Sequence, residues 1–317
     1  MSGTFRKLFA RRKNRKNTEN EMLFRRSKKE KIFFGVAFVI MAAYAFTLLY
    51  SLFFLFINSL ESSFAYTDKL TAAKNSFAFP EKLHWDNYKK AFENLGFTSG
   101  ITGERIGLGS MFFNSAWYLL FRVGGNLFGC AAMAYALSKY RFKLNSTIYA
   151  IIIFSMTVPI VGTMGASFKL MADLQIYNTP FYVILTSVSG IGFNFLILYG
   201  VFKNISWSYA EAVFVDGGGH FTVFFRIMLP QALTPMLALA IISGIGEWND
   251  YLTPLLYLPD FPTVASGIYQ IKLESASRGD TPSYFAGLVL SVAPVLILYA
   301  CFSDTIMKNF NMGGLKG

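Results

Sequence analysis

Six long apolar segments dominate this chain, and each is long enough to cross a lipid bilayer as a helix. The hydrocarbon core of a membrane is about 30 Å thick, which takes about 20 helical residues. A backbone in contact with lipid must satisfy its own hydrogen bonds, so such segments form helices. The composition agrees, because 54% of the 317 residues are hydrophobic and only 15% are charged. We therefore predict an all-α, polytopic membrane protein with six transmembrane helices near residues 32–57, 109–137, 147–171, 180–202, 233–258 and 283–306.

The basic residues indicate which side of the membrane each connecting segment faces. Twelve of the 29 Lys and Arg residues precede the first apolar run, and the short segment 138–146 holds three more with no acidic residue. Cytoplasmic segments of membrane proteins are enriched in Lys and Arg. This predicts a basic cytoplasmic N-tail at 1–31, an extracytoplasmic segment at 58–108, a transmembrane core at 109–306 that includes a cytoplasmic loop at 203–232, and a cytoplasmic C-tail at 307–317.

Composition also excludes several other classes of protein. The net charge of +11 is concentrated in the N-tail and no nucleic-acid recognition motif accompanies it, so we expect no nucleic-acid partner. Cys130 and Cys301 lie inside apolar segments and are expected to pack there, and His84 and His220 have no ligand spacing around them. The run at 32–57 is longer than the apolar part of a signal peptide, so we expect it to stay as the first transmembrane helix.

The stretch between the predicted fourth and fifth spans carries the most specific pattern in the chain. Residues 211–230 read EAVFVDGGGHFTVFFRIMLP. This resembles the cytoplasmic coupling loop of ATP-binding-cassette (ABC) importer permeases. The family pattern there is Glu-Ala-Ala, three residues, Gly, nine residues, Ile, one residue and Leu-Pro. Every fixed position matches except Val213, where the family has Ala.

Local signals predict how this loop folds. Ser208 and Glu211 form a capping-box pattern, which predicts the start of a short helix, and the glycines at 217–219 predict a turn after it. A second helix is expected to end before Pro230. The spacing i, i+3, i+4, i+7 then predicts one apolar helix face, and this face could pack on the chain's own helices or dock in a groove of a partner. Its members are Phe221, Phe224, Phe225 and Met228.

The resemblance implies that this loop docks on a separate ABC ATPase subunit. The chain has no G-x-x-x-x-G-K-[ST] phosphate-binding loop, so ATP and Mg are expected on that partner, with no cofactor, metal or catalytic residue on this chain. Carried over residue by residue, the coupling positions are Glu211, Ala212, Asp216, Gly217, Phe221, Phe224, Ile227, Leu229 and Pro230.

Three further phrases suggest a branch of the family. Residues 135–142 read YALSKYRF, residues 247–251 read EWNDY, and residues 313–317 read GGLKG. Each is similar to an element of the maltose-type, carbohydrate-uptake permeases, and in particular of the smaller of their two paired permease subunits. The resemblance implies a second homologous permease, two ABC ATPase subunits and an extracytoplasmic sugar-binding protein as partners, with lipid around the spans.

Polar residues inside apolar spans mark a candidate translocation pathway. Glu247, Trp248, Asn249 and Asp250 lie in the predicted fifth span, and Arg122 lies in the second. Charged groups at the bilayer centre cost about 2.5–3.5 kcal/mol on insertion scales, so they usually face a cavity or a partner. These groups could contact solute hydroxyls or bond helix to helix. Arg122 could pair with Glu247 or Asp250, line the pathway or contact the second permease.

The sequence therefore predicts a permease subunit of an ATP-driven sugar importer in a bacterial or archaeal inner membrane, with both termini cytoplasmic. An importer of a non-sugar solute, such as an amino acid, a peptide or glycerol phosphate, is the alternative. An intramembrane enzyme is a third hypothesis, which the absence of G-x-S-x-G and H-E-x-x-H patterns disfavours.

Overall fold

A computed structural model of the chain describes residues 28–66, 77–158, 162–275 and 280–311. Most of the N-tail predicted at 1–31 and the ending at 313–317 lie outside these ranges. A 3₁₀ turn covers Ser63–Tyr66. The helices are α1 (Lys28–Ser59), α2 (Asp86–Asn94), α3 (Leu108–Lys139), α4 (Asn145–Thr157), α5 (Met164–Asp173), α6 (Pro180–Ser187), α7 (Phe193–Asn204), α8 (Ser208–Val215), α9 (His220–Asn249), α10 (Leu252–Tyr257), α11 (Val264–Ser275) and α12 (Thr281–Asn311).

Within the described ranges, four helices are long and apolar enough to cross a membrane. They are α1, α3, α9 and residues Thr281–Phe302 of α12. Three of them coincide with predicted spans, and α9 overlaps the predicted fifth span but begins 13 residues before it. The prediction of six spans therefore holds in part, with the third and fourth apolar segments built differently.

Both of those segments are interrupted, which corrects the expectation of one continuous helix in each. The segment at 180–202 forms α6 and α7, and between them Gly192 has a φ of +136°. The segment at 147–171 forms α4 and most of α5. Val158, which precedes Pro159, has the extended φ/ψ of −83° and 115° that a following proline favours. With 8 and 12 residues, α6 and α7 are each shorter than the about 20 residues that a single helix needs to cross a membrane.

The described chain divides into two compact units, one ending at Leu55 and the other beginning at Phe56. The first unit is the greater part of α1. Its apolar side chains point outward on every side of the helix, and Phe38 and Met41 are among the most exposed. A helix that is apolar all round suits a lipid environment.

The second unit is organised around α3, which packs along α6, α7 and α9. Two glycines of α3 allow the segment between α6 and α7 to approach closely. A Cβ at Gly125 would lie 2.7 Å from Ser187 Cβ, and one at Gly129 would lie 3.0 Å from the Ser189 carbonyl oxygen. Cys130 is buried beside them, as expected, whereas Cys301 is exposed on α12, so the prediction that it packs inside is wrong.

A small β-hairpin precedes α3 and corrects the all-α prediction. Strand β1 (Gly96–Thr98) pairs antiparallel with β2 (Arg105–Gly107) in the register Phe97 to Ile106. The hairpin, α2, α11 and α12 share a second apolar core. Helix α11 contributes Val264, Ile268 and Ile271, which recur on one helix face. The predicted segment 58–108 is thus folded in part.

Candidate functional site

The predicted coupling loop folds as α8, a glycine turn and the start of α9. The N–H of Gly217 donates to the Phe214 carbonyl, and the N–H of Gly218 donates to the Val213 carbonyl. These two bonds form a Schellman motif, which ends a helix with a left-handed residue. Gly217 supplies that residue with a φ of +81°. A Cβ at Gly218 would lie 2.5 Å from Val213 Cγ1, so this position also requires glycine.

The start of α8 differs from the predicted capping box. Trp207 occupies the N-cap position and no side chain caps the helix. The Ser206 hydroxyl instead accepts from the Ser208 N–H at 3.3 Å, and the two hydroxyls lie 2.8 Å apart. A serine two residues before the predicted position therefore satisfies this amide. Glu211 does not cap the helix, and it is exposed in the first turn of α8.

The predicted apolar face of four residues divides between the interior and the surface. Phe224 and Met228 are 7% and 0% exposed and lie in the core formed with α3 and α7. Phe225 is half-exposed and stacks on Phe128 of α3 with ring centroids 6.3 Å apart. Phe221 is 81% exposed, and Val215, just before the turn, is 86% exposed. Packing on the chain's own helices thus accounts for Phe224 and Met228 and, in part, for Phe225. Phe221 and Val215 form the free apolar tip of the loop.

The second helix does not end before Pro230, which corrects that prediction. Residues Val223–Met228 form a π-helical segment, and the Leu229 N–H donates to the carbonyl of Phe224, five residues back. A proline in an α-helix clashes with the carbonyl four residues earlier, which here is that of Arg226. The wider π turn relieves this clash, so α9 continues to Asn249. Of the remaining coupling positions, Ala212, Asp216 and Pro230 are exposed, and Ile227 and Leu229 are partly buried.

The predicted pathway residues centre on an ion pair between α3 and α9. Arg122 Nε donates to Glu247 Oε2 at 3.1 Å, and Arg122 Nη2 donates to Glu247 Oε1 at 3.4 Å. The two side chains are 22% and 25% exposed. A bidentate contact of this kind fixes orientation as well as charge. The structure therefore selects Glu247 from the partners predicted for Arg122.

The other three pathway residues bond to separate neighbours. Asp250 Oδ2 accepts from the Tyr118 hydroxyl at 3.2 Å, and its Oδ1 accepts the N–H groups of residues 252 and 253, which open α10. Trp248 Nε1 donates to the Ser291 carbonyl on α12. Asn249 Nδ2 donates to the Ile245 carbonyl on its own helix and stays exposed.

The ion pair belongs to a longer row of polar contacts that sequence reasoning missed. Asn194 Nδ2 on α7 donates to Asn126 Oδ1 at 2.9 Å and to Ser243 Oγ at 3.1 Å. The sequence does contain a spacing signal for this row. Tyr118 and Asn126 lie four residues on either side of Arg122, and Ser243 lies four residues before Glu247. Each set therefore shares one helix face. We name this row the polar seam: Tyr118, Arg122, Asn126, Asn194, Ser243, Glu247 and Asp250.

Comparison with known proteins identifies the fold and the family. A family model described as a binding-protein-dependent transport system inner membrane component matches residues 125–311, which is more than half of the chain and includes the loop and most of the polar seam. The chain belongs to this family. It is a multi-pass membrane permease subunit of an ABC transporter, and not an enzyme.

The permease is similar to several transport proteins along most of their length. It is 26% identical over 260 residues to the diacetylchitobiose uptake system permease protein NgcG of Streptomyces coelicolor, covering 81% of this chain and 82% of that protein. It is 28% identical over 241 residues to the arabinooligosaccharides transport system permease protein AraQ of Halalkalibacterium halodurans, covering 75% and 81%.

A solved structure shares the fold of the permease. It is the crystal structure of a bacterial ABC transporter involved in the import of the acidic polysaccharide alginate, with a TM-score of 0.68 at 21% identity. The match covers 88% of this chain and 98% of that one.

Proposed function

We propose that this permease is a membrane subunit of an ATP-driven importer of oligosaccharides. The observation that carries the proposal is the similarity along most of the chain to permeases named for diacetylchitobiose and arabinooligosaccharide transport. The expected assembly contains this chain, a second homologous permease, two ABC ATPase subunits and an extracytoplasmic sugar-binding protein. The ATPase subunits bind ATP and Mg.

The tip of the coupling loop supports docking on the ATPase subunit. Val215 and Phe221 expose large apolar side chains on the two sides of a rigid glycine turn. Glu211 and Asp216 place acidic groups beside them. An apolar tip with a charged rim is suited to a groove in a partner protein.

This docking is tested by making the tip polar. Val215→Asp and Phe221→Asp should reduce the amount of ATPase subunit that co-purifies with the permease. Leu83→Asp is the matched control, because Leu83 is also an exposed apolar residue but lies far from the loop in sequence. Equal yields of ATPase in the loop variants and the control would refute docking through this tip.

The polar seam supports a pathway between α3, α7 and α9. Its ion pair and amides lie within helices that otherwise present apolar surface, and such groups usually face a cavity or a partner. In this proposal Asn249, which is exposed, and Asp250 contact solute hydroxyls or order water, and Trp248 packs at the wall. Arg122 and Glu247 hold the two helices in register.

Transport by the reconstituted assembly tests the function and the solute class together. Proteoliposomes that contain both permeases, the ATPase subunits and the binding protein should take up oligosaccharide only when ATP is supplied. Uptake of amino acids, peptides or glycerol phosphate in place of oligosaccharide would favour the non-sugar importer. Uptake that does not depend on ATP would overturn the proposal.

The proposed orientation puts both termini and the loop at 203–232 in the cytoplasm. Single cysteines at exposed positions report this directly once Cys130 and Cys301 are replaced. An impermeant thiol reagent added to intact cells or spheroplasts should label Leu83→Cys and spare Val215→Cys. The reverse pattern would invert the topology.

A further inference from the structure

Four aromatic side chains form a closed ring at the base of the coupling loop. Tyr140 contacts Trp207 with ring centroids 5.6 Å apart, Trp207 contacts Phe214 at 6.1 Å, Phe214 contacts His220 at 5.0 Å, and His220 contacts Tyr140 at 5.4 Å. We name these four residues the aromatic clamp. Three of the pairs are edge-on, which is a favourable geometry for aromatic rings.

The clamp joins segments that are separate in sequence. Tyr140 follows α3, Trp207 precedes α8, Phe214 lies in the last turn of α8, and His220 opens α9. Both ends of α8 and the first residue of α9 are therefore held against the end of α3.

Hydrogen bonds reinforce this attachment. The Tyr140 hydroxyl lies 2.8 Å from His220 Nδ1 and 3.0 Å from the hydroxyl of Tyr135, which is buried in α3. Lys139 Nζ also donates to the Ile205 carbonyl, in the link between α7 and α8. The end of α3 thus bonds to the loop on both sides of α8.

The same two helices meet again in the polar seam. Helix α3 runs without interruption from Lys139 back to Arg122, and α9 runs from His220 to Glu247. The clamp and the ion pair are thus two attachments between α3 and α9, one at the loop and one within the spans. A displacement of the loop must carry the end of α3 with it unless the clamp opens, because packed side chains resist continuous deformation.

We infer that Tyr140 and His220 are positioning residues that fasten the coupling loop to α3, so that a movement imposed on the loop reaches the polar seam. This inference rests on the proposed docking of the loop on the ATPase. It assigns no contact between these two residues and either ATP or solute. The clamp determines how much solute is imported for each ATP hydrolysed, and the loop tip determines whether the ATPase subunit binds.

The experiment compares ATP hydrolysis with transport in the complete reconstituted assembly. Tyr140→Phe and His220→Phe keep an aromatic ring at each position and remove the hydrogen bond between the two side chains. Tyr140→Phe also removes the bond to the Tyr135 hydroxyl, so His220→Phe is the cleaner of the two variants. In both variants the yield of ATPase subunit and the basal ATPase rate should stay near wild type. The solute imported per ATP should fall about fivefold, the scale set by one hydrogen bond. The double variant should fall no further than Tyr140→Phe, which already removes the bond to His220 together with the bond to the Tyr135 hydroxyl.

Two further variants separate a positioning role from general damage. His220→Asn retains a polar atom near the position of Nδ1 but loses the ring contacts to Tyr140 and Phe214, so it should restore part of the transport per ATP that His220→Phe loses. Tyr149→Phe is the matched control: within the described chain its hydroxyl forms no hydrogen bond, and its ring packs on Tyr199. This control should match wild type.

The outcomes distinguish the inference from the proposed function. Unchanged solute per ATP in Tyr140→Phe and His220→Phe would overturn the positioning role, and so would a loss that merely follows a loss of assembled complex. If Val215→Asp and Phe221→Asp leave ATPase binding intact, the proposed docking fails instead.

Discussion

Replacing the three consecutive glycines of the coupling loop one at a time by alanine should destabilise the loop at Gly217 and Gly218 and leave it nearly unchanged at Gly219. Gly217 has a φ of +81°, and an L-residue in that region costs about 1–2 kcal/mol. Gly218→Ala would place a Cβ 2.5 Å from Val213 Cγ1 and 3.0 Å from the Val213 carbonyl oxygen, and overpacking of this kind costs about 1–3 kcal/mol.

Gly219 is the internal control for the other two. It has an ordinary φ of −96°, and no atom lies within 4 Å of the position that an alanine Cβ would take. It occupies the N-cap of α9, where glycine is a better residue than alanine. Alanine lowers the conformational entropy of the unfolded chain and so stabilises the folded loop by about 0.4–1 kcal/mol, which offsets the loss of the better N-cap residue. The stability of the loop in Gly219→Ala should therefore lie within about 0.5 kcal/mol of that in the wild type.

The assay is titration of purified ATPase subunit onto the purified permease pair. A loop that is native only part of the time binds with an affinity reduced by that fraction. Gly217→Ala should weaken binding by at most about 5- to 30-fold, the limit set by a cost of about 1–2 kcal/mol, and Gly217→Asn should weaken it less, because asparagine tolerates the left-handed region. The reasoning is refuted if Gly219→Ala weakens binding as much as Gly217→Ala does.

Three further predictions concern the side chains that bond the C-terminal end of α9 to its neighbours. Arg122→Gln and Glu247→Gln should each lower the free energy of unfolding by about 2–3 kcal/mol, somewhat less than the ~3–5 kcal/mol lost when a fully buried pair is broken. The double variant should recover part of this loss. If the two changes instead have additive effects on the heat-inactivation rate of the complex, the side chains are not directly paired. Asp250→Ala should lower the free energy of unfolding by about 1–2 kcal/mol, because it removes the acceptor for the first two N–H groups of α10 and for the Tyr118 hydroxyl. Asp250→Asn should keep an acceptor for the two N–H groups, and equal losses in the two variants would exclude this role. Trp248→Phe should cost about 1 kcal/mol by leaving the Ser291 carbonyl without its donor, and no change in the heat-inactivation rate would show that water replaces the indole.

The uninterrupted spans were predictable because hydropathy alone decides them. Helices α1, α3 and α12 are continuous apolar runs, and lipid accepts such runs only as helices. The break between α6 and α7 was not predicted, since residues 188–192 include two glycines that a hydropathy count treats as ordinary apolar sequence. What places the break is tertiary: Ser187 and Ser189 pack against the two glycines of α3. The three-residue strands of the hairpin are likewise too short to carry a periodic signal.

The loop was predictable where its conformation is local and not where it depends on packing. The turn at Gly217 follows from glycine alone, and the structure confirms it with a Schellman motif. The division of the predicted apolar face follows from neighbours that are distant in sequence. The ring centroids of Tyr135 and Phe224 are 5.0 Å apart, and this contact covers Phe224. Phe221 has no such neighbour within the described chain and stays exposed. The continuation of α9 through Pro230 required a π segment, which side-chain spacing does not reveal.

The polar seam and the aromatic clamp engage α3 at two positions, one within the helix and one just beyond its end. Arg122 and Asn126 face α9 and α7 within the spans, and Tyr140 meets His220 just beyond the end of α3. Between them Gly125 and Gly129 bring α3 against the interrupted segment after α6, where the link between α6 and α7 lacks helical hydrogen bonds. Because α3 approaches this link so closely, a shift of α3 would press directly on the link. The link from Val188 to Gly192 is thus positioned by its packing against α3 and not by helical hydrogen bonds of its own.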